Sequence, residues 1–189
     1  MRKAILPVTE KGVELAKKIS AEVGGQIFIK GRDFFGLKNF VAEIFAKFDA
    51  LIFIGAAGIA VRMIAPHIVS KLSDPAVIVI DERGKNVVSL LSGHVGGGNF
   101  LTAEIAGKIS ANPVITTATD VEEKFSADGF ASQLGLKPAP KDAIKIINSA
   151  ILRGEDIFLT AGNVKLNLIP SNLICGIGCK RGTSAEMPK

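Results

Sequence analysis

In the stretch SLLSGHVGGGNFLTAEIAG, residues 89–107, His94 stands two positions ahead of the run Gly96, Gly97 and Gly98. An imidazole exchanges a proton near neutral pH, so a histidine on a glycine-rich turn is a candidate general base or acid. The alternative is a turn residue bonded to backbone. Glycines let a backbone approach a ligand closely, and open N–H groups at a helix N-terminus favour phosphate or carboxylate oxygens. Ser92, Gly93 and Asn99 flank the histidine and complete a candidate anion-receiving turn. Ser92 reads either as a catalytic hydroxyl or as a cap, and the absence of a GxSxG elbow argues against a Ser-His-Asp hydrolase.

Two other segments carry similar chemistry. In GAAGIAVRMIAP, Gly55 and Gly58 sit at a strand end with Arg62 one turn into a helix, where it is a ligand clamp or a solvated cation. In PVITTATD, Thr116, Thr117 and Thr119 precede Asp120, a candidate catalytic carboxylate that equally suits the N-cap of a following helix. Asp81 ends a strand and either orients the site or starts the DERG turn; His67, after Pro66, reads as a helix-end or surface residue. Ligands of open α/β sheets bind beyond the carboxyl ends of strands. That rule predicts one rim carrying all three groups.

The chain of 189 residues is 48% hydrophobic, enough to bury a domain core. Its formal charge of +5 favours acidic ligands without requiring nucleic acid, and its 11 Phe, unaccompanied by Trp or Tyr, sit in apolar runs that read as core. No signal peptide or membrane helix is expected, so a cytoplasmic setting is, and Cys175 and Cys179 are expected as reduced thiols. Neither the dinucleotide fingerprint GxGxxG nor GxxxxGK[ST] is present, which leaves nucleotide binding unsupported.

The elements that must position these residues alternate. KAILPV, QIFIK, DALIFIG, PAVIVIDERG, KNVVSLLS and NPVITTATD read as strands, KNVVSLLS as a hairpin partner or neighbour of the run before it and NPVITTATD as a further buried strand. TEKGVELAKKISAEVG, with Thr9 as candidate N-cap, LKNFVAEIFAKF, the short helix stopped by Pro66, NFLTAEIAGKIS and VEEKFSADGFASQLG read as helices. This order predicts an α/β fold, a three-layer Rossmann-like mostly parallel sheet with a small α+β appendage. The prolines of LKPAPKDA set a boundary near 137, giving an α/β domain over 1–136, a connecting region over 137–170 and a last segment over 171–189. Beyond the boundary, KDAIKIINSAILRGE reads as a helix, DIFLT and VKLNLIP as short strands, and NLIC as a strand before a glycine-rich turn.

GAAGIAVRMIAP, DPAVIVIDERG, SLLSGHVGGGN and PVITTATD, in that order, resemble the N-terminal region of the cobalamin biosynthesis protein G family, CbiG, the cobalt-precorrin-5A hydrolases of the anaerobic corrin pathway. CGIGCKRGTS is similar to the opening of that family's C-terminal, CobE-like domain, so the resemblance implies that this domain is truncated here. It further implies a cobalt-tetrapyrrole substrate rich in carboxylates, whose δ-lactone is opened by water with release of acetaldehyde, giving cobalt-precorrin-5B. The cobalt then belongs to the substrate and no cofactor of the protein is expected. On this view His94 activates water, the N–H groups of Gly96 to Gly98 hold the oxyanion, and Arg62, Thr116 and Thr117 hold peripheral carboxylates. Alternatives are a non-catalytic corrinoid-binding module, one subunit of a split hydrolase with a separate C-terminal-domain partner, or a generic anion-binding α/β domain. A homodimer is a further expectation; nucleic acid and membrane are not expected as partners.

Overall fold

A computed structural model describes residues 1–71 and 73–117 and, beyond them, 146–147, 149–150, 153, 157–159 and 173–175. The chain divides into two compact units, Met1–Thr116 and Thr117–Lys189. In the second unit, Ile157–Leu159 pairs in parallel with Leu173–Cys175, within the DIFLT and NLIC segments expected as strands. The expected boundary near 137, the helix VEEKFSADGFASQLG and the strand VKLNLIP lie outside the described residues.

The first unit is built on six strands: β1 (Lys3–Pro7), β2 (Gln26–Ile27), β3 (Ala50–Ile54), β4 (Ala76–Ile80), β5 (Asn86–Leu91) and β6 (Asn112–Val114). Their order across the sheet is β2-β1-β3-β4-β5-β6. Helices α1 (Gly12–Val23), α2 (Leu37–Ile44), α3 (Ala57–Ile64) and α4 (Gly98–Ile109) connect them, and the α/β sandwich predicted from the sequence is present. β3 and β4 are buried at every position, as their unbroken apolar runs require of central parallel strands covered on both faces. Ile52, Ile54, Ile78 and Ile80 pack with α1 and α4 on one face; Leu51, Phe53, Val77 and Val79 pack with α2 and α3 on the other. Among the described residues, no helix is long and apolar enough to cross a membrane.

β1, β2, β3 and β4 are parallel, but β5 runs antiparallel to β4, and β6 follows the direction of β5. The five residues from Asp81 to Lys85 are too few for a parallel crossover, which takes a dozen or more, so KNVVSLLS is the hairpin partner. Asp81 holds the reversal. Its carboxylate accepts the N–H groups of Arg83 (3.0 Å), Lys85 (3.1 Å) and Asn86 (2.6 Å), and its carbonyl accepts that of Gly84 (2.8 Å). Partial burial pushes the Asp81 carboxyl up, and those N–H bonds outweigh it, leaving the group below the usual carboxylate range.

Two local expectations are corrected. Thr9 does not cap α1: its hydroxyl bonds the Glu82 carboxylate across the sheet end, and α1 begins at Gly12 without a side-chain cap. The NPVITTATD strand is not buried; β6 is a three-residue strand at the end of the sheet order with Asn112 and Pro113 exposed, a position that tolerates a proline lacking an N–H.

Replacing Asp81 by Ala is expected to lower stability at pH 7 by about 2 kcal/mol, the worth of charge-assisted bonds to a turn. Because the folded-state pKa is depressed, this stabilisation is present above the unfolded value of about 3.9 and is lost as pH falls through the folded value. The gap between urea melts of the two proteins should therefore begin to narrow below about pH 4 and close only below the depressed folded value; a gap that stays constant with pH would exclude the carboxylate as its source.

Candidate functional site

The reversal of β5 divides the glycine-bearing segments between the two ends of the sheet, which corrects the expectation of a single rim. Gly55, Gly58 and Arg62 follow β3 and lie at the carboxyl end of the parallel strands, with Val8, Thr9 and Glu82. β5 pairs Leu91 with Val77 at the start of β4, so Ser92–Asn99 emerge at the amino end of the parallel strands. A Cβ on Gly97 would lie 3.1 Å from the Met1 side chain, and one on Gly96 would lie 3.4 Å from the Ala76 nitrogen. The two groups are separated by the length of a five-residue strand, about 17 Å. Thr116 is exposed and follows β6, which runs with β5, so it shares the amino end with His94. Thr117 opens the second unit, and Thr119 and Asp120 lie outside the described residues.

The amino-end turn is closed by its own backbone. Gly97 N–H bonds His94 O (2.9 Å), Gly98 N–H bonds Ser92 O (3.2 Å), and Asn99 N–H bonds Gly93 O (2.8 Å). These bonds revise the oxyanion set read from the sequence: the amides of Gly97 and Gly98 point into the turn, and Gly96 alone of the three takes no part in them. The glycines answer to crowding. A Cβ on Gly93 would meet Asn99 Oδ1 at 2.4 Å, and one on Gly96 would meet the Ser92 Cβ at 2.6 Å and its carbonyl oxygen at 2.7 Å. Gly97, at φ 75°, is the left-handed residue that starts α4.

Ser92 also adopts a left-handed conformation, at φ 54°, which costs a residue with a Cβ about 1–2 kcal/mol. Its Oγ is buried with no hydrogen-bond partner, so it does not cap the helix. Asn99 is 7% exposed, and its Oδ1 accepts the Ser89 hydroxyl at 2.7 Å, tying the first turn of α4 to β5. His94 is half-buried on this stiff turn. His94 thus stands two residues before Gly96, on the turn that leads into the first turn of a twelve-residue helix.

At the carboxyl end, Gly55 N–H bonds Ile80 O (2.8 Å), and its φ of 153° brings the backbone against Val8, whose Cβ would lie 3.0 Å from a Cβ added there. Arg62 is exposed and its Nη1 returns one turn to donate to Gly58 O at 3.1 Å, which brings the guanidinium beside the start of α3. Asp81 serves the hairpin, as one of its two readings held. His67 ends a short 3₁₀ turn, Ala65–His67, with its ring 5.7 Å from that of Phe45. A cleft of about 390 Å³ beyond β1, lined by Thr9, Glu10, Val13, Ile29, Lys30 and Phe35 among others, was not anticipated. Its walls come from segments some twenty residues apart, and only the strand order joins them. Among the described residues, no group of three or more His, Cys, Asp or Glu could hold a metal ion.

Residues 39–120 match the family described as Cobalamin synthesis G N-terminal. The chain is 44% identical over 165 residues to a cobalt-precorrin-5A hydrolase of Salmonella typhimurium, covering 82% of this chain and 47% of that protein. It is 33% identical over 173 residues to a cobalt-precorrin-5A hydrolase of Priestia megaterium, covering 82% and 45%. The crystal structure of a cobalamin biosynthesis protein G homolog from Sulfolobus solfataricus superposes with a TM-score of 0.61 at 26% identity, over 92% of this chain and 52% of that one. The chain thus spans about half the length of the curated relatives it matches.

The crowding at the amino-end turn predicts opposite outcomes for two glycine-to-alanine changes. Gly96→Ala should destabilise the protein by about 2–3 kcal/mol, because backbone and not a flexible side chain blocks the added methyl. Gly107→Ala, in α4 with nothing within 4 Å, should stabilise it by roughly 0.5–1 kcal/mol. Urea denaturation of the two variants tests this; equal midpoints would contradict the packing described.

Proposed function

This chain belongs to the cobalamin synthesis G family, and on that premise we propose that it acts in the hydrolysis of cobalt-precorrin-5A, opening the δ-lactone and releasing acetaldehyde to leave cobalt-precorrin-5B. The observation that carries the reading is the 44% identity to a cobalt-precorrin-5A hydrolase over four-fifths of the chain. The cobalt enters as part of the substrate.

The chemistry proposed for the amino-end turn starts with His94 taking a proton from water as its oxygen adds to the lactone carbonyl. The Gly96 amide and the positive end of α4 supply electrostatic support for the oxyanion. Collapse breaks the ring C–O bond, gives a carboxylate, and returns a proton to the departing alkoxide. Loss of the new hydroxyl's proton then forms the C=O of acetaldehyde, and the electron pair of the cleaved C–C bond passes to the macrocycle. Overall, water is consumed and acetaldehyde leaves. Thr116, exposed at the same end of the sheet, is proposed to meet a peripheral carboxylate. Gly55, Gly58 and Arg62 lie at the other end of the sheet and take no part in this seat. Of the other residues proposed here from sequence, Ser92 and Gly93 shape the turn that carries His94, Asp120 is proposed as a catalytic carboxylate and Thr117 as a carboxylate-binding hydroxyl.

Acetaldehyde trapped by a coupled dehydrogenase measures the activity directly. The unmodified chain should release it, and His94→Ala should reduce the rate at least about 100-fold, the usual contribution of a general base, while binding of the tetrapyrrole changes little. Equal rates for the two proteins would remove His94 from the reaction, and no acetaldehyde from either would contradict the proposed activity.

A further inference from the structure

The sheet order β2-β1-β3 means that the chain leaves β1 toward one side and returns to build the sheet on the other, which is the strand-order reversal where open α/β sheets hold ligands. That reversal lies between β1 and β3 at the carboxyl end, away from His94, and the cleft of about 390 Å³ opens at the same end one strand over, between the segments that follow β1 and β2. One wall is the loop after β2, which is firmly built. Ile29 N–H bonds the Asp33 carboxylate (2.7 Å), Asp33 N–H bonds Ile29 O (2.9 Å), and Gly31 N–H bonds Phe34 O (2.7 Å). Phe34 anchors it, buried and stacked on Phe40 with ring centroids 4.5 Å apart and planes 8° from parallel. The next residue, Phe35, is 85% exposed on the cleft's rim. Phe35 shares the cleft lining with Val13 and Ile29, so the exposed ring extends an apolar surface out to the rim.

The polar groups give the ligand its sign. Lys30 lines the cleft and enters none of the ion pairs among the described residues, whereas the nearby Arg32 is taken by Asp33 at 2.8 Å. Glu10 lies on the wall as well and opposes an anion, so an acidic group must sit toward Lys30. Val13, Ile29 and Phe35 offer apolar surface for a flat ring face. The cleft is too small to enclose a tetrapyrrole but admits one edge of it.

We propose that this cleft is a second tetrapyrrole seat, distinct from the His94 turn, in which one ring edge covers Phe35 and a peripheral carboxylate pairs with Lys30. The inference rests on the substrate class proposed above. One macrocycle at Ser92–Asn99 does not reach round a sheet about 17 Å long, so the two seats hold two molecules.

The test is a titration of the full chain with uroporphyrin III, an octacarboxylate tetrapyrrole that lacks the lactone, followed by ligand fluorescence and by amide shifts of the ¹⁵N-labelled protein. Two equivalents should bind, with shifts at Thr9–Glu10 and Ile29–Phe35 as well as at Ser92–Asn99. Phe35→Ser should weaken one of the two steps at least about tenfold, Lys30→Gln should weaken the same step, and Glu10→Gln should tighten it, all with acetaldehyde release unchanged. A single equivalent with shifts confined to Ser92–Asn99, no binding at all, or a Phe35→Ser titration identical to the unmodified protein would overturn the second seat. Acetaldehyde release, measured separately, judges the hydrolase reading on its own.

Discussion

The Asp81 carboxylate, accepting three backbone N–H groups within five residues, turns the chain back on itself between β4 and β5. Two features of the molecule depend on that reversal. Crossovers between parallel strands are right-handed, so reversing the strand direction moves the next crossover helix to the opposite face. α4 accordingly joins α1, while α2 and α3 share the other face. The same reversal delivers the His94 turn to the amino end of the parallel strands, away from the sheet edge where the general rule for α/β folds looks first.

At that amino end the glycines serve the turn itself. Gly93 and Gly96 leave room for Asn99 and Ser92, Gly97 supplies a left-handed start to α4, and the Ser89–Asn99 bond locks the result to β5. His94 is thereby presented on backbone with little freedom, which suits the proposed general base that takes a proton from water at a fixed geometry. The strain at Ser92, together with its unpartnered hydroxyl, is concentrated at the same point.

Much of this architecture was legible in the residues. The apolar runs ALIFI and AVIVI announce central strands because burial on both faces removes alternation, and the helices of the first unit follow their apolar spacing. Strand direction is another matter, since a hydrophobic pattern reads the same in either sense. The informative signal was the shortness of the DERGK link, and combined with the crossover rule it excludes a parallel neighbour. The grouping of Gly55, Gly58 and Arg62 with His94 failed for this reason. The cleft beside Phe35 was illegible because FF in FFGLKNF gives no sign that one ring is buried and the next exposed. The kinship, by contrast, was carried by four ordered motifs, and the proposed chemistry rests on it, since neither composition nor strand pattern specifies a reaction.

The separation of the two sheet ends is the claim on which the assignment of residues to sites rests, and one distance tests it. Spin labels at Arg83, in the hairpin turn, and Phe100, in the first turn of α4, on a chain with Cys175 and Cys179 replaced by serine, would be measured by pulsed electron–electron resonance. With β5 reversed, the six residues of that strand place the labels more than about 20 Å apart. A distance of about 10 Å, as a parallel β5 would give, would return the His94 turn to the rim of Gly55 and Arg62 and contradict the two-ended arrangement.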